Sequence, residues 1–363
     1  MTAPTVVLAG GGTAGHVSPM LAVAEAIARL EPQARQSMIG TAAGLETRLV
    51  PQAGFELDLI DKVPLPRRPN RDLLRLPQRL RAATDEASRI LRRRQADVVI
   101  GVGGYVCTPV YRAAKKLNIP IVIHEANARP GLANRLGSRS AAFVGTAFED
   151  TPLKGAEWVG MPMPQTISQL DRGEQRVPAR EELGLEPERT TLVVTGGSSG
   201  ALNLNRAVVD GLQSILATGA QVLHLTGRDK VVTDTDGLPL AAPGYHQREY
   251  LDGMHLAYAA ADLILARSGA ATVCEVAAVG LPAIFVPLPV GNGEQELNAA
   301  GLVEAGGALL VKDEHFTRPW IARNILPLLE DPRLLQTMQR QSADRGITDA
   351  DERMARAALE AAA

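Results

Sequence analysis

The residues 6–9, Val6-Val7-Leu8-Ala9, run into Gly10-Gly11-Gly12-Thr13-Ala14-Gly15, and His16 follows directly. An apolar β-branched run, a turn with four glycines and then a helical pattern form a strand–loop–helix unit whose backbone can approach a bound group closely. The helix that opens there offers N–H groups and the positive end of its dipole, which suits a diphosphate or another anion. His16 adds a group able to move a proton near neutral pH, and the dipole disfavours its protonated form. Gly10, Gly12 and Gly15 also satisfy the G-x-G-x-x-G spacing of a dinucleotide site. A nicotinamide site would want an acidic residue closing the second strand, however. Residues 36–40 and the following Thr41-Ala42-Ala43 carry no carboxylate, which weighs against that reading.

Further glycine-rich turns follow other strand-like runs. They are Gly101-Val102-Gly103-Gly104-Tyr105, Gly196-Gly197-Ser198-Ser199-Gly200 and Arg267-Ser268-Gly269-Ala270. In open α/β sheets ligands sit beyond the carboxyl ends of the strands, so such turns are phosphate-gripping candidates, set against the plainer role of tight strand–helix connections. His124-Glu125-Ala126-Asn127 closes the Ile-Val-Ile run at 121–123, where polar side chains either face a ligand or hold a turn through buried hydrogen bonds. Glu275, five residues past Gly269-Ala270, is placed in the first turns of a helix, where it suits vicinal sugar hydroxyls or simply the helix dipole. Residues 62–94 hold eleven Lys/Arg, Arg67, Arg68, Arg71 and Arg75 among them, against Asp72, Asp85 and Glu86. Leu65, Leu73, Leu74, Leu76 and Leu80 are interleaved with them, a pattern that fits an anionic membrane surface as well as a solvated basic helix interrupted by prolines.

The elements that must position these residues alternate in type. Continuous apolar runs at 5–9, 97–101, 119–124, 141–145, 190–195, 221–226, 262–266 and 282–286 read as parallel strands covered on both faces. Amphipathic stretches such as 17–30 lie between them, which is the βαβ pattern. The pattern restarts at 190, so two Rossmann-like halves are expected, with the polar stretch after Met161-Pro162-Met163-Pro164 as their linker. A length of 363 residues fits two domains, and 45% hydrophobic residues with only 3% aromatic ones require aliphatic cores. A formal net charge of −2 argues against nucleic acid as a partner. Cys107 and Cys274 have neither a disulfide framework nor metal-site spacing, which suits a reducing cytosol. No signal-peptide pattern and no stretch of 18 apolar residues is apparent.

Taken in order, the glycine turns, Gly103-Gly104-Tyr105-Val106, His124-Glu125-x-Asn127 with Gly131 and Asn134, Gly200-Ala201 with Asn203, Arg267-Ser268-Gly269-Ala270-x-Thr272-x-x-Glu275, and Gln295 with Asn298-Ala299 closely resemble one family. It is the bacterial UDP-GlcNAc:lipid I N-acetylglucosaminyltransferases of glycosyltransferase family 28. The resemblance spans nearly the whole chain. It implies an α/β GT-B fold, two Rossmann-like domains with parallel sheets facing an interdomain cleft. The expected division is an acceptor and membrane-associating domain over 1–162, a UDP-GlcNAc domain over 163–340, and a terminal helix over 341–363 packing back on the first. It implies inverting transfer of GlcNAc to the 4-hydroxyl of the muramoyl sugar of lipid I, giving lipid II for peptidoglycan, without a cofactor or bound catalytic metal.

Carried over by motif, His16 and Glu125 are the candidate bases, His16 slightly preferred. The donor contacts are Thr13, Ala14, Gly15, Asn127, Ser198, Leu251, Ala270, Ala271, Thr272, Val273, Cys274, Glu275 and Gln295. Ser198 would meet the phosphates, the Leu251 backbone the uracil, Glu275 the ribose, and Ala270, Gln295 and Asn127 the GlcNAc. The loops for the acceptor diphosphate comprise Gly12, Gly15, Gly103, Gly104, Tyr105 and Asn134. The resemblance further implies a peripheral location on the cytoplasmic face of the bacterial membrane, through the basic 62–94 segment, and other cell-wall synthesis proteins as partners. The chain departs from the family at Pro164, where an arginine that reaches the nucleotide is usual, and at Ser199 and Glu294. Another GT-B transferase with a different donor or acceptor, and a non-catalytic UDP-sugar binder, are the alternatives; turnover of UDP-GlcNAc with a lipid I analogue separates the three.

Overall fold

A computed structural model describes residues 3–63, 72–197, 199–290 and 292–363. Ser198, Leu65, Arg67, Arg68 and Arg71 lie outside the described residues. The chain divides into two compact units, Met1–Pro164 with Thr348–Ala363, and Gln165–Ile347.

The first unit holds β1 (Thr5–Ala9), β2 (Arg35–Gly40), β3 (Glu56–Leu59), β4 (Val98–Gly101), β5 (Ile121–Glu125), β6 (Phe143–Thr146) and β7 (Glu157–Trp158). They form one parallel sheet in the order β3-β2-β1-β4-β5-β6-β7, with Val6 in register with Gln36 on one side and Val98 on the other. Every strand therefore ends on the same edge. The strands are apolar without alternation because both faces are covered. Val6 and Leu8 pack under the helix Ala14–Leu30, whereas Val7 and Ala9 pack on the opposite face with Ile90, Leu91 and Val110. The last helix, Ala350–Ala362, completes this unit. It places Met354, Ala355 and Ala358 in the core beside Val6 and Leu8 and ties Asp351 to Arg29 at 2.6 Å.

The second unit repeats the design with β8 (Thr191–Thr195), β9 (Gln221–Leu225), β10 (Tyr245–Arg248), β11 (Leu263–Ala266), β12 (Ala283–Phe285) and β13 (Ala308–Leu310), in the order β10-β9-β8-β11-β12-β13. The polar stretch read above as linker is folded: residues Arg172–Leu183 form a helix of this unit, capped by the Asp171 carboxylate. Two arginines hold it there. Arg172 donates to the carbonyls of Tyr258, Gly280 and Ala261, and the fully buried Arg180 to Ala260, Pro187 and the Asp262 carboxylate. Such groups look like solvent-facing charge in a sequence, yet their partners are backbone carbonyls that no composition reveals.

Strands β3, β7, β10 and β13 have no counterpart among the runs identified in the sequence. All four are sheet edges, short and partly exposed, so no continuous apolar run marks them. Helix Asp72–Arg94 continues through Pro77 and is not broken by it. No described helix is long and apolar enough to cross a membrane.

Candidate functional site

In the first unit the turns after β1, β4 and β5 lie at the carboxyl ends of neighbouring strands. Thr13 is the N-cap of Ala14–Leu30, which sets His16 in the first turn with its Nδ1 3.4 Å from the Thr13 hydroxyl. The ring lies against the second turn: a Cβ added at Gly103 would fall 3.0 Å from His16 Nε2 and 3.6 Å from Asn134 Nδ2. Gly104 is pressed on the first turn, where a Cβ would come within 2.8 Å of the Gly11 carbonyl oxygen. Both glycines have positive φ, 102° and 91°, so the backbone conformation disfavours side chains at both, and the Gly11 carbonyl leaves no space for one at Gly104. Tyr105, beyond them, is exposed, and Lys62 lies 5.4 Å above its ring.

Glu125 ends β5 and is buried. Its Oε1 accepts the Asn127 N–H at 3.0 Å; its Oε2 accepts the Gly131 N–H and the Asn134 side-chain amide, both at 3.0 Å. Asn134 in turn accepts the Tyr111 hydroxyl at 2.8 Å and donates to the His124 carbonyl. Burial raises the Glu125 pKa, and the bonds from Asn127, Gly131 and Asn134 offset this only in part. The carboxylate thus shapes the loop that carries Asn127. His124 is buried with Nε2 on the Gly160 carbonyl at 2.9 Å, and burial takes its pKa down to about 4, so the ring is neutral and structural. Cys107 is likewise buried, its thiol pushed up to about 12 by burial.

Glu46, three residues past Ala43, lies beyond the second-strand stretch and is not among the site residues expected from the sequence. It is fully buried and points back to the first turn. Its Oε2 accepts the Gly12 N–H at 2.8 Å, and its Oε1 accepts the Thr41 N–H and hydroxyl at 2.9 Å each. The small residues 41–44 that let it fold back were the available signal. Its acceptors are engaged by the protein, not offered to a ribose.

In the second unit a cavity of about 500 Å³ opens beside the turns after β8, β9 and β11. Gly196, Gly197, Ser199 and Gly200 line it with Lys230, Arg267, Gly269, Thr272 and Gln295. The helix Leu202–Ala217 begins at the first turn and Ala270–Ala278 at the last. Gln295 lies in the first turn of Glu294–Glu304 and accepts the Leu288 N–H at 2.9 Å. Ala271, Thr272, Val273, Cys274 and Glu275 follow Ala270 on its helix, whereas Leu251 sits in the loop after the edge strand β10. Glu275 Oε2 accepts the buried Tyr258 hydroxyl at 2.6 Å, which fixes the carboxylate; burial raises its pKa and the tyrosine bond works against that. Arg267 pairs with Asp313, which also accepts the Asn203 amide at 2.8 Å.

Two Rossmann-like units, each with glycine turns at strand carboxyl ends, one carrying a histidine and the other a cavity of about 500 Å³, have the GT-B architecture. Residues 6–146 match the glycosyltransferase family 28 N-terminal domain and residues 191–354 its C-terminal domain. The UDP-N-acetylglucosamine–N-acetylmuramyl-(pentapeptide) pyrophosphoryl-undecaprenol N-acetylglucosamine transferase of Paenarthrobacter aurescens is 58% identical over 98% of this chain and 96% of its own. The protein of the same name from a Nocardioides species is 52% identical over 98% and 97%. Among solved structures, Acinetobacter baumannii MurG superposes with a TM-score of 0.81 at 29% identity, over 98% of this chain and 99% of that one. The chain belongs to glycosyltransferase family 28, among these N-acetylglucosamine transferases.

Proposed function

We propose that this chain transfers GlcNAc from UDP-GlcNAc to the 4-hydroxyl of the muramoyl sugar of lipid I, giving lipid II. The observation that carries the reading is the His16 imidazole set against Gly103 at the strand ends, in a chain 58% identical to an N-acetylglucosamine transferase. In this reading His16 takes the proton of the acceptor hydroxyl as its oxygen attacks C1 of GlcNAc. The bond from C1 to the phosphate oxygen breaks, and its electron pair leaves with UDP. The configuration at C1 inverts. Glu125, with its carboxylate committed to Asn127, Gly131 and Asn134, positions the loop, and the backbone around Gly12, Gly15, Gly103 and Gly104 receives the acceptor diphosphate.

The donor belongs to the second unit. The turn holding Ser198 and the N-terminus of Leu202–Ala217 take the phosphates, Leu251 the uracil, Glu275 the ribose, and Ala270 and Gln295 the sugar. The helix dipole stabilises the charge that develops on the departing diphosphate. The first unit sits on the cytoplasmic face of the membrane through its basic helix. There Arg93 and Arg94 are taken up by Asp58 and Glu56, whereas Arg75, Arg79 and Arg81 are exposed and pair with no carboxylate among the described residues.

The test is turnover of UDP-GlcNAc with a lipid I analogue by wild type and His16→Ala. A general base contributes about 10²–10⁴-fold, so kcat should fall at least about a hundredfold in the variant while UDP affinity by calorimetry stays the same. No turnover by the wild type sinks the activity; a fall of less than about tenfold sinks His16 as the base and moves that role to Glu125.

A further inference from the structure

We propose that Lys230 supplies the cation that meets the diphosphate of the bound nucleotide, an assignment that rests on the donor-site reading above. Lys230 lies in the turn after β9 and lines the cavity together with Gly196, Gly200 and Arg267. The two turns are in backbone contact: a Cβ at Gly200 would fall 2.3 Å from the Thr226 carbonyl oxygen, and Gly200 has φ 64°. Across that contact the Lys230 ammonium donates to the carbonyls of Ser199 at 2.5 Å and Gly200 at 3.4 Å. An ammonium has three donors, so two on the loop leave one for a ligand.

Charge separates the two cations of the cavity. Arg267 sits 2.5 Å from the Asp313 carboxylate and also donates to the carbonyls of Val286 and Pro287 at 3.0 Å each. Its charge is matched within the protein. Lys230 pairs with no carboxylate among the described residues; its partners are neutral carbonyls of the glycine turn itself. A half-buried ammonium fixed to that turn, beside the N-terminus of a sixteen-residue helix, places a full positive charge where the helix dipole offers only a partial one. The complementary group is a nucleoside diphosphate. A nucleoside without phosphates gains nothing from it.

The experiment measures binding of UDP, UMP and uridine, at low and moderate salt, to wild type, Lys230→Gln and Lys230→Arg, with melting curves to show that each variant folds. Lys230→Gln should lose UDP affinity about tenfold or more, uridine should change less than about twofold, and Lys230→Arg should stay within about threefold of wild type. The decline of UDP affinity with salt should be shallower in Lys230→Gln. If the lysine only pins the loop, UDP weakens in Lys230→Gln but its decline with salt stays as steep as in wild type, and that result overturns the proposal. So does UDP affinity within about twofold of wild type in Lys230→Gln. A wild type that takes no UDP overturns the donor-site reading itself, which separates the two failures.

Discussion

Glu46→Gln isolates what one buried carboxylate does for the first glycine turn. Glu46 receives the Gly12 N–H on one oxygen and both Thr41 donors on the other. A glutamine can keep the Thr41 pair only by turning its NH2 toward the Gly12 N–H, which loses one bond to a charged acceptor and sets two donors face to face. The lost bond costs about 1.5–3 kcal/mol, and stranding a donor adds about 1 kcal/mol, so a loss of about 2.5–4 kcal/mol is expected. For a unit of this size that lowers the melting temperature by roughly 5–16 °C. Acid adds a second readout. Burial alone would raise the Glu46 pKa, but the bonds from Gly12 and Thr41 outweigh it and hold the carboxyl below its ordinary value of 4.5. A group depressed in the folded state contributes stability that is present above the ordinary value and is lost as pH falls through the folded one. Stability of the wild type should therefore drop more steeply below pH 4.5 than that of the variant. Urea denaturation at several pH values, with calorimetric melting, reads both effects. A variant within about 0.5 kcal/mol of wild type, with the same acid profile, would refute the reasoning.

Glu275→Ala should raise the KM for UDP-GlcNAc at least about tenfold with the fold intact, since a charge-assisted bond to the ribose is worth about 1.5–3 kcal/mol; an unchanged KM removes the ribose assignment. Neutralising Arg75, Arg79 and Arg81 together should weaken co-sedimentation with anionic vesicles by about 1 kcal/mol per residue while a short-chain acceptor is still turned over. Co-sedimentation insensitive to both charge and salt would argue against membrane docking through this helix. His224, buried between the Tyr245 hydroxyl and the Asn205 side-chain amide oxygen, has its pKa taken by burial from 6.5 to about 4. Its neutral form is the folded one, so its contribution is full above pH 6.5 and is lost as pH falls toward 4. His224→Gln should flatten the loss of stability across that window in urea titrations; an unchanged slope would contradict it.

Much of this protein is written locally. Both faces of each central strand are buried, so runs such as Val6-Val7-Leu8-Ala9 and Leu192-Val193-Val194 are continuously apolar, and the glycine turns that end β1, β4 and β8 must be glycine wherever φ is positive. Those features, with the order of the motifs, are sufficient for the fold class and the family. The edge strands were not legible, because an edge strand is half-solvated and its residues answer to one neighbour only. Arg172 and Arg180, in the polar stretch that reads as a linker, are internal staples, since a guanidinium can be satisfied by carbonyls from distant turns. Glu46 and Lys230 share that character. Each is a single polar side chain with no periodic context, and its role comes from a partner 34 or about 30 residues away: the Gly12 N–H for one, the carbonyls of Ser199 and Gly200 for the other. Periodicity and turn chemistry act between near neighbours and survive in one dimension. Hydrogen bonding and charge compensation between turns depend on which strands the sheet sets side by side, and that is decided only when the chain has folded.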